Sequence, residues 1–403
     1  MTRFSEFGAC SRVDQVVCDP ADGRAAAEIP IYTNEFWTSR QRAAHSLHEI
    51  SYRACFKPQL PRFFIERLTR PGDVVYDPFM GRGTTLLEAA LLGRVPFGCD
   101  VNPLSVLLTE PRLAPPTCAE VAERLEGLPL DGAADPCPDL LAFYHPETLR
   151  QLVALRTYLR QRAVAGALDP VDRWLRLVAL NRLTGHSAGF FSVYTLPPNQ
   201  AVSADRQRLL NEQRGQTPPI RDVRRLILAK TRSLLRDCDP ETRRRLSTVA
   251  ARKCLLSRLC DHTPEVPSGS VSLVVTSPPF LDVVDYAGDN WLRCWFAGIE
   301  PKGIPITFLR RLEEWQQAMT RVFVELERVL RPGGHVAFEV GEVRGGRIRL
   351  EHAVIPCGRS AGLLPRLIVI NQQEFTKTAN LWGVENGARG TNTNRIVLFQ
   401  KRA

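Results

Sequence analysis

Thr276-Ser277-Pro278-Pro279-Phe280 brings a hydroxyl, a constrained backbone and an aromatic face together in one short stretch. The apolar run before it, Val271-Ser272-Leu273-Val274-Val275, predicts a buried strand, and the two prolines stop that strand abruptly. Proline fixes its own φ and restricts its predecessor, so Ser277 and Pro278 are held in one geometry. Two acceptors beside a stacking ring suit a planar base with an exocyclic amine. A Pro-Pro turn closing a core strand would use the same residues, and the motif alone does not choose. Asp285-Tyr286, Trp291, Trp295 and Phe296 follow closely, and their aromatic density favours the first reading.

A second constellation lies earlier. Val74-Val75-Tyr76 predicts a short buried strand, Asp77-Pro78-Phe79-Met80-Gly81-Arg82-Gly83-Thr84-Thr85 a tight loop, and Leu86 to Gly93 a helix. The next strand, Val95 to Cys99, ends in Asp100, and Val101-Asn102-Pro103 opens another helix. Gly81 and Gly83 let backbone approach a ligand, and the helix start adds N–H donors. Asp100, 17 residues after Gly83, is placed to take both hydroxyls of a ribose. The dinucleotide fingerprint G-x-G-x-x-G is not met, because Thr84-Thr85-Leu86 follows Gly83. A structural α/β unit without a ligand would have the same elements.

Taken together, these stretches resemble the DNA amino-methyltransferases. Thr276–Phe280 resembles their catalytic motif IV, Asp77–Thr85 with Asp100 their S-adenosylmethionine motif I, and Phe56-Lys57-Pro58 their motif X. The resemblance covers roughly residues 45–110 and 251–400. It implies a Rossmann-like class I methyltransferase fold, a seven-stranded, mostly parallel sheet with helices on both faces. It also implies S-adenosylmethionine as cofactor, held by Phe56, Lys57, Asp77, Pro78, Phe79, Gly81, Gly83, Thr84, Thr85, Asp100, Val101, Asn102, Asp261 and Thr276. Asp261 stands where the family places an acid near the adenine; a strand-end cap is its other reading.

Ser277, Pro278, Pro279 and Phe280 are then the catalytic residues. In the family, serine at the first motif position is typical of N4-cytosine enzymes, and aspartate or asparagine of N6-adenine enzymes. The implied reaction methylates the N4 of a flipped cytosine: Phe280 stacks on the ring, while Ser277 Oγ and the Pro278 carbonyl accept from the amine. The alternatives are an N6-adenine DNA or RNA amino-methyltransferase and a silent DNA-binding subunit. Many N4-cytosine enzymes place the catalytic motif first; here it comes last, so details of target recognition do not transfer.

The elements that must position these residues fall into three parts: a lead-in over 1–30, a catalytic domain over 31–113 and 251–403, and an insert over 114–250. Within the last, Pro146 onward predicts helices, while 110–140, rich in Pro, Ala, Asp and Gly, looks like a linker. The net charge of +10 is concentrated here: residues 141–250 hold 19 Lys+Arg against 9 Asp+Glu, and the remainder holds 34 of each. A basic insert on a neutral chassis is a nucleic-acid signature. Its expected contacts are Asn199, Gln200, Arg214, Gln216, Arg221, Arg224, Arg225 and Lys230. A helical domain with a solvated basic face is the competing reading.

Composition sets the remaining bounds. Hydrophobic residues at 44% support a sizeable core, and no apolar run approaches the ~18 residues of a membrane span. Eleven cysteines without a C-x-x-C pair, and seven scattered histidines, predict reduced core thiols and no metal. Expected partners are double-stranded DNA and a restriction endonuclease acting on the same site, with no membrane. The expected location is the cytoplasm of a bacterium or archaeon.

Overall fold

In the computed structural model the described residues are 12–18, 27–37, 44–52, 55–131, 137–195, 202–279, 286–300, 304, 311–343, 348–372 and 393–403. The strands are β1 (Arg12–Cys18), β2 (Ala27–Asn34), β3 (Val74–Asp77), β4 (Val95–Asp100), β5 (Cys254–Ser257), β6 (Val271–Thr276), β7 (Leu330–Val340), a short ribbon of β8 (Glu342–Val343) and β9 (Ile348–Arg349), then β10 (Leu364–Gln372) and β11 (Thr393–Gln400). The main sheet runs β1-β2-β10-β11-β7-β6-β3-β4-β5. β6 is the most apolar of these strands, and all its residues are buried. It therefore sits inside the sheet, pairing in parallel with β3 and β7.

From β10 to β5 this is the expected seven-stranded class I methyltransferase sheet. Pairings β6·β7, β3·β6, β3·β4 and β4·β5 are parallel, and β11 runs antiparallel between β7 and β10. β1 and β2 add two strands at one edge, β2 parallel to β10 and β1 antiparallel to β2. The lead-in is therefore partly strand. Its sequence hides this because Val13, Val16 and Val17 do not alternate strictly, and Val13 and Val17 are exposed on an edge with one neighbour.

The helices are α1 (Gln59–Leu68), α2 (Thr84–Leu91), α3 (Leu104–Leu113), α4 (Cys118–Gly127), α5 (Pro146–Val164), α6 (Pro170–Arg182), α7 (Ala204–Arg214), α8 (Val223–Leu234), α9 (Pro240–Ala250), α10 (Tyr286–Ala297), α11 (Leu312–Val329) and α12 (Leu350–Ser360). α4 stands in the stretch expected to be a linker. Its start is a capping box in which Thr117 and Glu120 satisfy each other's backbone N–H. α11 buries Trp315, Met319, Val322, Phe323, Leu326 and Val329 against the sheet, the three-and-four spacing of an amphipathic helix.

The insert does not close a core of its own. One hydrophobic cluster joins Leu149, Trp174, Leu177, Ile227 and Leu246 to Leu87, Leu104 and Leu108 of α2 and α3, and to Leu292 and Phe296 of α10. α9, the last insert helix, packs on α2 and β4.

Candidate active site

Four adjacent parallel strands, β6-β3-β4-β5, aim their carboxyl ends at one cleft, the place where open α/β sheets hold ligands. The loop after β3 is shaped by its two glycines, at φ +50 for Gly81 and +72 for Gly83. At Gly83 a Cβ would lie 2.2 Å from Thr109 Oγ1, so no larger residue fits. Asp100 at the end of β4 accepts from Gly81 N and Asn102 N, both at 2.8 Å. The acid thus holds the loop as well as facing the cleft.

The loop after β3 is stapled to the strand beside it. Thr276 Oγ1 donates to Asp77 Oδ1 at 2.6 Å, and Thr85 Oγ1 donates to Val275 O at 3.1 Å. Burial pushes the Asp77 carboxyl up to about 7, against the pull of Thr276 and of Phe79 N. Asp100 is raised for the same reason and is likewise held back by the backbone N–H groups of Asn102 and Gly81.

A cavity of about 360 Å³ lies between these loops. Pro78, Phe79, Gly81, Asp100, Val101 and Asn102 line it together with Cys260 and Asp261 from after β5 and Ser277 and Pro279 from after β6. Asp261 is half-buried, 3.5 Å from Arg321 Nε. This lining offers an acid for a diol, a second acid for an amino edge, apolar walls for a ring and a hydroxyl. Thr84, Thr85 and Thr276 are buried and brace the loops instead of lining the cavity. Tyr52 lines it where Phe56 and Lys57 were expected; Phe56 packs with the cluster around Trp37 and Phe63, and burial lowers the Lys57 pKa.

Ser277 is half-buried at the cavity edge, while the Pro279 carbonyl accepts from Trp315 Nε1 at 3.1 Å. That bond anchors the Ser277-Pro278-Pro279 turn to α11. Phe280 lies outside the described residues. A group the sequence did not reveal is Glu339 on β7. It is buried, hydrogen-bonded to Ser277, and accepts from Asn394 Nδ2 at 2.9 Å. Burial raises its pKa, and those two hydrogen bonds oppose the rise. The lone acid in His335-Val336-Ala337-Phe338-Glu339-Val340 was the available signal.

The insert residues separate by environment. Arg225 is exposed, and Arg214 is exposed over the Tyr194 ring at 4.0 Å. Gln216 donates to Tyr194 O at 3.1 Å. Arg221 is half-buried, with its backbone N on Thr148 Oγ1 at 2.7 Å. Arg224 spends its donors on Leu125 O and Leu128 O at the end of α4. Lys230 Nζ donates to Glu49 O at 2.6 Å, and burial, then Arg182, lower its pKa to about 8. Asn199 and Gln200 lie outside the described residues.

With this geometry, the relatives can be placed. Residues 25–109 match the N6/N4 methyltransferase family model, described as DNA methylase. Over these residues the chain is similar to the DNA amino-methyltransferases. It is 38% identical over 74 residues to the type II methyltransferase M.MjaII of Methanocaldococcus jannaschii, a match covering 18% of this chain and 14% of that protein. It is 21% identical over 292 residues to the type II methyltransferase M.BsoBI of Geobacillus stearothermophilus, covering 64% and 54%. A tRNA (guanine(10)-N2)-dimethyltransferase of M. jannaschii matches at 35% over 63 residues, covering 15% and 18%. The matched segments span about half of these relatives' length or less. Among the described residues, no helix is long and apolar enough to cross a membrane.

Proposed function

We propose that the protein is an S-adenosylmethionine-dependent DNA methyltransferase acting on the exocyclic N4 of a cytosine flipped from the duplex. The carrying observation is one cavity shared by Asp100, the Gly81 loop and Ser277. The residues fit the cofactor: Asp100 would take the ribose hydroxyls, Asp261 the adenine edge, and Pro78 and Phe79 the apolar surfaces. When bound, the cofactor supplies an electrophilic methyl group. Extrusion of the base is required because its N4 cannot face that methyl while stacked in the duplex.

The chain's own part is positioning. Ser277 Oγ and the Pro278 carbonyl accept from the amine and turn its lone pair out of conjugation, and Phe280 stacks on the ring. Geometry of this kind is worth ~7–11 kcal/mol of barrier. Glu339, bonded to Ser277 and raised by burial, gives the proton leaving the nitrogen a nearby carboxylate. These roles rest on the motif's resemblance to the amino-methyltransferases, within which serine at 277 favours N4-cytosine over N6-adenine. Double-stranded DNA is the proposed partner, in a cytoplasmic setting beside an endonuclease reading the same site. Incubation with duplex DNA and cofactor, followed by digestion and nucleoside mass analysis, tests this: N4-methylcytosine is expected, and N6-methyladenine or 5-methylcytosine overturns the assignment. A base amine in RNA is the second reading, favoured by the tRNA-methylating relative. Turnover on RNA with none on duplex DNA would establish it.

A further inference from the structure

Residues 183–195 leave α6 and fold back on themselves. Phe191 N donates to Arg182 O at 2.9 Å, Thr195 N to Gly185 O at 3.0 Å, and Phe190 N to Ser187 O at 3.2 Å across the tip. Gly185 lies against the Phe190 ring, where a Cβ would sit 2.3 Å away, and the Arg182 guanidinium covers that ring at 4.0 Å. On the returning side, Tyr194 O accepts from Gln207 and Gln216 at 3.0 and 3.1 Å, and Arg214 covers the Tyr194 ring. The tip itself, His186-Ser187-Ala188, is exposed. Rigid backbone beneath an exposed polar tip is what a reading element requires.

Its position points the same way. Asn181 Oδ1 accepts from Ser51 N at 2.7 Å, and Arg293 of α10 bridges Leu180 O and Ser51 O at 3.4 and 3.1 Å. Tyr52, the next residue, lines the cofactor cavity. The loop therefore rises from the seam between that cavity, the helix following the catalytic turn, and the insert. Charge is consistent with an anionic visitor: among the described residues no carboxylate pairs with Arg182, whose guanidinium lies over the Phe190 ring.

We propose that residues 185–190 are the part of the insert that enters a DNA groove beside the extruded base, with His186 and Ser187 reading base edges and Arg214 meeting a neighbouring phosphate. This rests on the DNA-methylating function proposed above. His186→Ala and Ser187→Ala alter exposed side chains, and unchanged cofactor affinity will show that each variant is folded. Parent and variants are given a pool of randomised duplexes with cofactor, and the methylated products are sequenced. The parent should enrich one target, and each variant should lose discrimination at one position by about ten- to a hundredfold. Variants with the parent's target and discrimination would overturn the loop's role and leave the DNA reading standing. A parent that methylates no duplex would overturn the DNA reading, and the loop's role with it.

Discussion

At the scale of single residues, the acids that end β3 and β4, Asp77 and Asp100, do different work, and each can be tested. Asp100 accepts two backbone N–H groups and faces the cavity, so Asp100→Ala removes an acceptor from the ligand and a brace from Gly81. Calorimetry should show S-adenosylmethionine affinity weakened by ~1.5–3 kcal/mol, the worth of a charge-assisted hydrogen bond. Unchanged affinity in a folded variant would remove Asp100 from the site. Asp77 carries a pH signature instead. Its folded pKa, about 7, lies above the ~3.9 of an unfolded aspartate, so folding favours the protonated form. That contribution is fully present below about pH 4 and is lost as pH rises to about 7. His48, buried and lowered to about 4, works in the opposite sense over the lower part of this window. The comparison that isolates Asp77 is therefore parent against Asp77→Asn by denaturant unfolding across pH 4–8. The parent's stability should fall relative to the variant with rising pH, and a constant difference would refute the raised pKa. Both acids were legible because their demands are local: glycines at a turn and an acid ending a strand. Glu339 was not, because its partners Ser277 and Asn394 come together only when β6, β7 and β11 are side by side.

At the scale of elements, the segment from Leu47 to Ser51 gathers cations from four places. Its carbonyls accept from Arg112 of α3, Lys230 of α8, Arg82 of the glycine loop and Arg293 of α10. Arg112 is fully buried, and burial together with Arg82 pushes its pKa down to about 9. Much of what looks in the sequence like surface charge is thus internal mortar. Composition locates the charge in the insert but cannot say which guanidinium finds a carbonyl, because those carbonyls belong to distant segments. The distinction changes what mutation should do. Arg224→Ala leaves Leu125 O and Leu128 O without their donor and should cost ~1–3 kcal/mol of stability. Arg225→Ala, at an exposed position, should leave stability near the parent's and flatten the salt dependence of duplex binding by ~0.9 in log–log slope. A salt titration beside a denaturation curve separates the two. An unchanged slope for Arg225→Ala would make this helix face merely solvated.

At the scale of the whole molecule, the insert shares its interior with α2 and α3, which lie against the sheet, and with α10. Composition turns to Pro, Ala and Gly after Leu113 and predicts a boundary at 113/114, yet α4 follows α3 at Cys118 and both join the cluster around Trp174. Composition records how a segment differs from its neighbours; it does not record which apolar faces meet. A domain that buries its apolar stripe against another's helices has no separate hydrophobic driving force, so the two should open as one cooperative unit. Native-state hydrogen exchange tests this by following peptides from α5 and α6 in the insert and from α11 and β7 behind the Ser277-Pro278-Pro279 turn. Both sets should open at one common free energy. Saturating cofactor should raise both by the same amount, about 2.7 kcal/mol at a hundredfold excess over Kd, although its cavity touches no residue of α5 or α6. If α5 and α6 instead exchanged at their own lower free energy and ignored the cofactor, the insert would be an independently folding module, and the shared cluster would be contact without cooperativity.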